Sequence, residues 1–264
     1  MSILDRFAVT DQVAIVTGAG RGIGAGCARA LADAGAHVVC AARTQQQIDE
    51  TAAHVRARGR DALAVVCDVT AHDDLERLID TTVARFGRLD ILVNNAGGWL
   101  PVPLLQTSEK NFEAALRFNV TSAFLLTRLA VPRMIETAGG GAIVNISSRA
   151  ASMVQPAFTA YGTAKAALSF MTRLMAPELA PKVRINAIEV GGVETSALEM
   201  VLTDESVRRQ LEENTPMRRV GTVDDIAAAV VYLASPAASW VTGKVLEVDG
   251  GVEHPAFTVP TPEI

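Results

Sequence analysis

The sequence predicts an α/β protein: one Rossmann-type doubly wound domain whose seven-stranded parallel sheet carries helices on both faces. Three observations lead there. Strand-like and helix-like stretches alternate from end to end. The strand-like ones are short and nearly continuously apolar, as strands covered on both faces must be. The stretches joining them run to about 10 to 15 residues of helical pattern, enough for the right-handed crossovers between parallel strands. At 264 residues and 49% hydrophobic, the chain can bury the core such a domain needs.

The elements follow in order. Val13-Ala-Ile-Val-Thr17, closed by glycines, is the first strand, and Gly22 to about Ala34 a helix that Gly35 ends. His37 to Ala41 and Ala62 to Val66 are the second and third strands. A helix from Gln45 to Ala57 separates them, and another runs from about Asp73 to Phe86. Ile91-Leu-Val-Asn94 is the fourth strand. Ser108 to Ile135 is a long helical region that Pro132 should kink or close. Ala142 to Ile146 is the fifth strand. An apolar helix from Tyr161 to about Leu174 leads to the sixth, Arg184 to Ile188, and Lys244 to Val248 is the seventh. The tail from His254 holds Pro255, Pro260 and Pro262, too many prolines for regular structure. No linker, repeat or low-complexity tract divides residues 1–264.

Composition excludes several function classes. Net charge is −5 with basic residues scattered, which argues against a nucleic-acid footprint or a polybasic membrane patch. No secretory leader pattern opens the chain, and charges interrupt every apolar run before the ~18 residues of a spanning helix, so a cytoplasmic protein is expected. Cys27, Cys40 and Cys67 lie in apolar stretches without CxxC or zinc spacing and read as small buried hydrophobes. The four histidines are far apart in sequence, and no metal site is expected.

The first strand-to-helix junction, Thr17-Gly-Ala-Gly-Arg-Gly-Ile-Gly24, sits where a phosphate cradle belongs. Gly18, Gly22 and Gly24 permit a tight turn and close backbone approach, and the helix N-terminus offers amides to a pyrophosphate. The alternative is a glycine-rich turn without a ligand, since the spacing is GxxxGxG rather than GxGxxG. After the second strand, Ala42 stands where a carboxylate would grip the ribose 2′-hydroxyl of NAD, and Arg43 follows. With Arg21 in the glycine loop, two guanidiniums and no carboxylate favour a 2′-phosphate, hence NADP(H), with NAD as second choice. Two solvated surface arginines are the plainer reading. Asp68, ending the third strand, is either an acceptor for the adenine amino group or a helix cap.

Tyr161-Gly-Thr-Ala-Lys165 places a phenol and an ammonium one helical turn apart on the same face. A charged lysine there would lower a phenol pKa that starts near ~10, readying Tyr161 for proton transfer at a carbinol oxygen. Taken together, Thr17-Gly-x-x-x-Gly-x-Gly24, Asn94-Asn-Ala-Gly97, Ser148 and Tyr161-x-x-x-Lys165 resemble the short-chain dehydrogenase/reductase family, in its Tyr-x-x-x-Lys branch. The resemblance runs from about Asp11 to Gly251.

The resemblance implies roles for individual residues. Ser148 would hydrogen-bond the substrate oxygen, Tyr161 would be the general acid/base, and Lys165 would hold the nicotinamide ribose. Asn119, a poor mid-helix residue, would anchor a water in a proton relay through its backbone. Gly18, Arg21, Gly22, Ile23, Gly24, Arg43, Asp68, Val69, Asn95, Ala96, Gly97, Val193 and Thr195 would contact the cofactor, with Asn94 steadying the central sheet. One departure stands out: where the family usually has proline after the sixth strand, this chain reads Glu189-Val190. Either the change is tolerated, or Glu189 meets the cofactor phosphates or the substrate.

Trp99, Met153, Phe158 and Leu198 are candidate substrate walls, or else ordinary packing. Apolar walls suit a lipophilic ketone or secondary alcohol. In the resembled family a lid covers the site, here about residues 195–216, and the leaning is toward hydroxysteroid dehydrogenase-like members. A homotetramer is expected, with a dimer second. The competing readings are a β-ketoacyl carrier-protein reductase, which would want basic docking residues such as Arg133 or Arg173, and a catalytically silent nucleotide-sensing protein. Enoyl reduction is disfavoured, because those relatives space Tyr and Lys by seven residues.

Overall fold

Val13 and Ile15 of the first strand, β1 (Val13–Thr17), bury into one apolar cluster, while Ala14 and Val16 bury into another. That period-two division is how one sheet supports a core on each face. The computed structural model describes residues 2–195 and 205–256. Residues 196–204 of the expected lid, Leu198 among them, and the tail after Ala256 lie outside the described residues.

After β1 come α1 (Gly22–Asp33), β2 (His37–Ala42), α2 (Gln45–Arg56), β3 (Ala62–Val66), α3 (His72–Phe86) and β4 (Ile91–Asn94). Then follow α4 (Glu109–Leu116), α5 (Ser122–Ala138), β5 (Gly141–Ser148), α6 (Thr159–Leu179), β6 (Val183–Val190), α7 (Glu205–Asn214), α8 (Val223–Ala234) and β7 (Val245–Val248). The seven strands lie in the order β3-β2-β1-β4-β5-β6-β7, every pair parallel. The expected doubly wound sheet is therefore present. α1, α2 and α8 cover one face, and α3, α5 and α6 the other. The chain reverses its direction of winding between β1 and β4, and that crevice beyond the strand ends is where such sheets take ligands.

Several boundaries differ from expectation. Pro132 does not close its helix, which continues to Ala138. The irregularity falls earlier, at a π-helical turn, Arg117–Thr121, centred on Asn119. β5 and β6 each run two residues further at their C-terminal ends than hydrophobicity alone suggested, to Ser148 and Val190. α6 extends at both ends and tolerates Pro177 in its last turns. α8 was not anticipated, although Thr222 and Asp225 form a capping box at its start. The continuous helical stretch Glu109–Ala138 is long and apolar enough to cross a membrane by composition. Here Leu126, Ala130 and Met134 are buried against the sheet instead.

α1 and α8 pack closely because Gly26 lacks a side chain: a Cβ there would stand 2.0 Å from Val223 Cγ1 but 3.4 Å from its Cβ. Gly26→Ala is accordingly expected to destabilise the protein by roughly 1–3 kcal/mol through overpacking. Val223→Ala in the same chain, which deletes the clashing methyl, should recover most of that loss in denaturant melts.

Candidate active site

Thr17, at the end of β1, joins two loops. Its hydroxyl accepts hydrogen bonds from the backbone N–H groups of Asn95 and Ala96, each at 3.0 Å, and Asn95 Nδ2 donates to the Thr17 carbonyl at 2.8 Å. The glycine loop and the Asn94-Asn-Ala-Gly97 turn are thereby locked side by side. Gly18 has φ +65°, and a Cβ on Gly24 would sit 2.3 Å from the Gly18 carbonyl oxygen, so the loop closes only with glycine at both places. No side chain caps α1, which leaves its first amides turned to the crevice, as a pyrophosphate requires.

Asn94 lies one layer below. Its Nδ2 donates to Asn145 Oδ1 at 2.8 Å, and Asn145 Nδ2 donates to Thr172 Oγ1 at 2.8 Å, linking β4, β5 and α6. Asn119 is buried, with its amide bonded to the Gly98 backbone in both directions, at 2.8 and 3.2 Å. It therefore stands behind the Gly97-Gly98 wall rather than in the cavity.

One cavity of about 830 Å³ gathers the rest. Gly18, Arg21, Gly22, Ile23, Gly24, Arg43, Asp68 and Val69 line one end, and Asn95, Ala96 and Gly97 the middle, beside Ser148, Tyr161, Lys165, Val193 and Thr195. The Thr195 methyl faces the glycine loop at Gly22. Asp68 combines both sequence readings: it lines the cavity, yet its Oδ1 accepts bonds from the Thr70 N–H and hydroxyl, which hold its carboxyl below the usual range. Ala42 lines the same end and brings no carboxylate. Burial pushes the neighbouring Cys67 thiol up to about 12, so it is no nucleophile. Among the described residues no group of side chains could hold a metal ion.

Trp99, Met153 and Phe158 line the opposite end. Trp99 Nε1 donates to Asn111 Oδ1 at 3.0 Å, which orients the indole. The Phe158 ring lies 6.1 Å from that of Tyr161, and Met153 packs on Leu211, Val252 and Ala256. Leu211, Thr215, Val252, Pro255 and Ala256 also line this end and were not foreseen. Pro255 and Ala256 belong to the tail whose prolines suggested only irregularity.

The electrostatics of the Tyr161–Lys165 pair correct the sequence reading. Tyr161 is hydrogen-bonded to Ser148, which lowers its pKa, but burial dominates and raises it above 10. The lysine does not reverse this. Its Nζ lies 5.7 Å from the Tyr161 ring centroid and donates to the Ile146 carbonyl at 2.8 Å. Lys165 is itself so deeply buried that desolvation lowers its pKa to about 8. A lysine whose folded pKa lies below its unfolded 10.5 costs stability at pH 7. That cost fades as pH rises from about 8 toward 10.5, because only the unfolded chain then holds the proton. Lys165→Met should therefore melt higher than the parent at pH 7. On the order of 3 kcal/mol is gained from the missing buried ammonium and about 1 kcal/mol lost with its hydrogen bond. The advantage should vanish in melts near pH 10.5.

Known proteins carry the same arrangement. Residues 18–253 match a family described as enoyl-(acyl carrier protein) reductase. An uncharacterized oxidoreductase of Mycobacterium tuberculosis is 50% identical, the alignment covering 99% of this chain and all of that protein. A 7α-hydroxysteroid dehydrogenase structure, complexed with NADH and 7-oxo glycochenodeoxycholic acid, superposes with a TM-score of 0.91 at 40% identity, over 96% of this chain and 98% of its own. A gluconate 5-dehydrogenase from Burkholderia cenocepacia, in complex with NADP and tartrate, gives 0.89 at 34% identity, over 95% and 98%. With its seven-stranded parallel sheet, glycine loop and Ser148–Tyr161–Lys165 cluster, this chain is an oxidoreductase of the short-chain dehydrogenase/reductase family, acting on alcohols or ketones with a nicotinamide cofactor.

Proposed function

We propose that this enzyme interconverts a lipophilic ketone and its secondary alcohol with NADP(H), in the manner of a hydroxysteroid dehydrogenase. The observation that carries the proposal is the cavity itself, in which a hydrogen-bonded serine–tyrosine pair stands between a glycine-rich phosphate cradle and an apolar wall. When bound, the dinucleotide supplies or accepts the hydride. The chain's own residues manage the oxygen. Ser148 donates to the carbonyl oxygen and stabilises its developing charge. Tyr161 delivers the proton to that oxygen, or removes it in the alcohol-oxidising direction. Lys165, one turn along α6 and able to lose its own proton near pH 8, stands next in line to move a proton to or from the phenol.

Trp99, Met153 and Phe158 support an apolar substrate, since they would cover a ring system while the polar atoms converge at one end. The 40%-identical neighbour binds a steroid ketone, which supports the same class. Arg21 and Arg43 at the adenosine end, with Ala42 in place of a carboxylate, support the extra phosphate of NADP(H). The two solved relatives hold different dinucleotides, NADH and NADP, so the preference rests on these residues. Of the two basic residues named for a carrier-protein partner, Arg133 and Arg173, the first is already paired with Asp80 and Glu136.

The test is turnover of a ketone panel that includes 7-oxo glycochenodeoxycholic acid, followed by nicotinamide absorbance. Tyr161→Phe is expected to cut kcat about 10²- to 10⁴-fold while dinucleotide binding persists. Failure of the parent protein to reduce any ketone overturns the proposal. Separately, Arg43→Ala should weaken NADPH binding about 10- to 100-fold and leave NADH within about twofold, read by nicotinamide fluorescence. Equal losses for the two dinucleotides would contradict NADP(H) preference.

A further inference from the structure

We propose that Glu189 is a positioning residue: its buried carboxylate holds the Ser148 end of β5 against the helix that bears Tyr161 and Lys165. The inference rests on the oxidoreductase reading above and concerns a residue that touches neither ligand. Ser147, Glu189 and Glu247 are register partners across β5, β6 and β7, so their side chains form one row on a single face of the sheet. Glu189, in the middle, is only 5% exposed. A carboxylate there is tolerable only if each oxygen is satisfied.

Its two oxygens reach the two elements that carry the chemistry. Oε1 accepts from Ser169 Oγ at 2.9 Å, and Ser169 follows Lys165 by one turn and Tyr161 by two. Ser169 Oγ lies 2.8 Å from Ser147 Oγ, which in turn lies 3.1 Å from the Lys165 carbonyl oxygen. Two hydroxyl protons serve three acceptors here. The Glu189 carboxylate takes the Ser169 proton, so the single Ser147 proton is shared between Ser169 Oγ and the Lys165 carbonyl. The residue beside Ser148 is thus bonded to the backbone of the catalytic helix.

Oε2 accepts from Ser152 Oγ at 2.6 Å, and Arg149 Nη1 lies 3.5 Å away. Both residues belong to the turn that follows Ser148, whose own Oγ accepts from the Ala150 N–H at 3.2 Å. Arg149 also meets Glu247 at 2.5 Å and Asp249 at 2.8 Å, and donates to the Val252 carbonyl. One guanidinium therefore answers three carboxylates, and Glu189 depends on the serines for its short, aligned bonds. Val190 completes the arrangement: it pairs with Ser148 on one side and Val248 on the other, continuing a ladder to which a proline could donate no N–H. Where the resembled family has a stiff imide, this chain has a residue with a backbone N–H, beside a buried carboxylate.

The experiment measures kcat, KM and dinucleotide affinity for Glu189→Ala, Glu189→Gln, Ser169→Ala and Ser152→Ala. Misplacing a reacting group by about 1 Å can cost ~10²-fold, so Glu189→Ala should lower kcat at least about tenfold with dinucleotide affinity within about twofold. Glu189→Gln, which can still accept from Ser169 and donate to Ser152, should stay within about threefold of the parent. Unchanged kcat in Glu189→Ala overturns the proposal, as does a glutamine variant no better than the alanine one. If the alanine variant does not fold, the serine variants decide, and unchanged kcat in both overturns it. A parent protein silent toward every ketone overturns the oxidoreductase reading instead. Hydrogen exchange of residues 147–152 and 161–169 in Glu189→Gln and Glu189→Ala then decides the positioning claim. Loss of protection in both segments for alanine only supports it, and unchanged protection overturns it.

Discussion

Polar groups buried at the C-terminal end of the sheet need partners within the protein, and that demand places the catalytic side chains. Ser148 lies at a strand end, and Tyr161 and Lys165 in the first two turns of a helix that crosses behind it. Apolar packing holds a helix against a sheet but leaves sliding and rotation weakly determined, because hydrophobic contact has no direction. Hydrogen bonds have direction. The Asn94–Asn145–Thr172 chain ties β4 and β5 to α6 near its middle, and the Ser147–Ser169 contact does so closer to the active end. A half-satisfied network would be worse than an apolar one. The bonds therefore select one register of helix against sheet, and with it one distance between phenol and serine.

The glycine loop obeys a complementary constraint. There, what matters is the absence of side chains: the Gly24 position is filled by the Gly18 carbonyl, and Asn95 presses on Gly18 from the β4 turn. Backbone amides at the start of α1 are kept clear, whereas at the other end of the cavity aromatic and aliphatic groups converge. The site is polar by backbone at one end, polar by side chain in the middle, and apolar at the far end. Such a site fits two ligands between them: one that brings phosphate to the glycine loop, and one that brings a reactive oxygen to the middle and, on the proposal above, a hydrophobic body to the far end.

Much of this was legible in the amino-acid order, for a physical reason. Strand runs such as Val13–Thr17 and Ile91–Asn94 are apolar on both faces and short, so only a buried parallel sheet accounts for them. The Tyr161–Lys165 spacing is local, and a helix turns it directly into proximity. What escaped is what depends on long-range pairing. β5 ends in two polar residues, Ser147 and Ser148, and β6 has Glu189 next to its last residue, so hydrophobicity alone ends both strands early. They continue because each polar side chain finds a partner on another element. Asn119 was singled out as an awkward helix residue, but a π turn could not be deduced from it without knowing that its amide would bond Gly98. α8 was missed although Thr222 and Asp225 spell a capping box and Ile226, Ala227, Val230 and Leu233 recur at helical spacing.

The lysine shows why spacing does not settle electrostatics. One helical turn brings the ammonium beside the phenol, yet depth in the protein raises the cost of both charges at once. Burial moves Tyr161 up and Lys165 down, each toward its neutral form. In a pair tuned this way the phenol holds its proton more tightly and the ammonium releases its own more readily, until something polar enters the cavity to solvate them. The substrate oxygen beside Ser148 and the hydroxyls of a bound ribose are the groups the geometry would admit there. Proton transfer is thereby coupled to occupancy: the same desolvation that disfavours both charges in the isolated pair makes them respond strongly to whatever hydrogen bonds arrive. The buried carboxylate of Glu189 fits the same logic, since it keeps the serine and the helix in place while the cavity fills, without placing a further charge in the cavity wall.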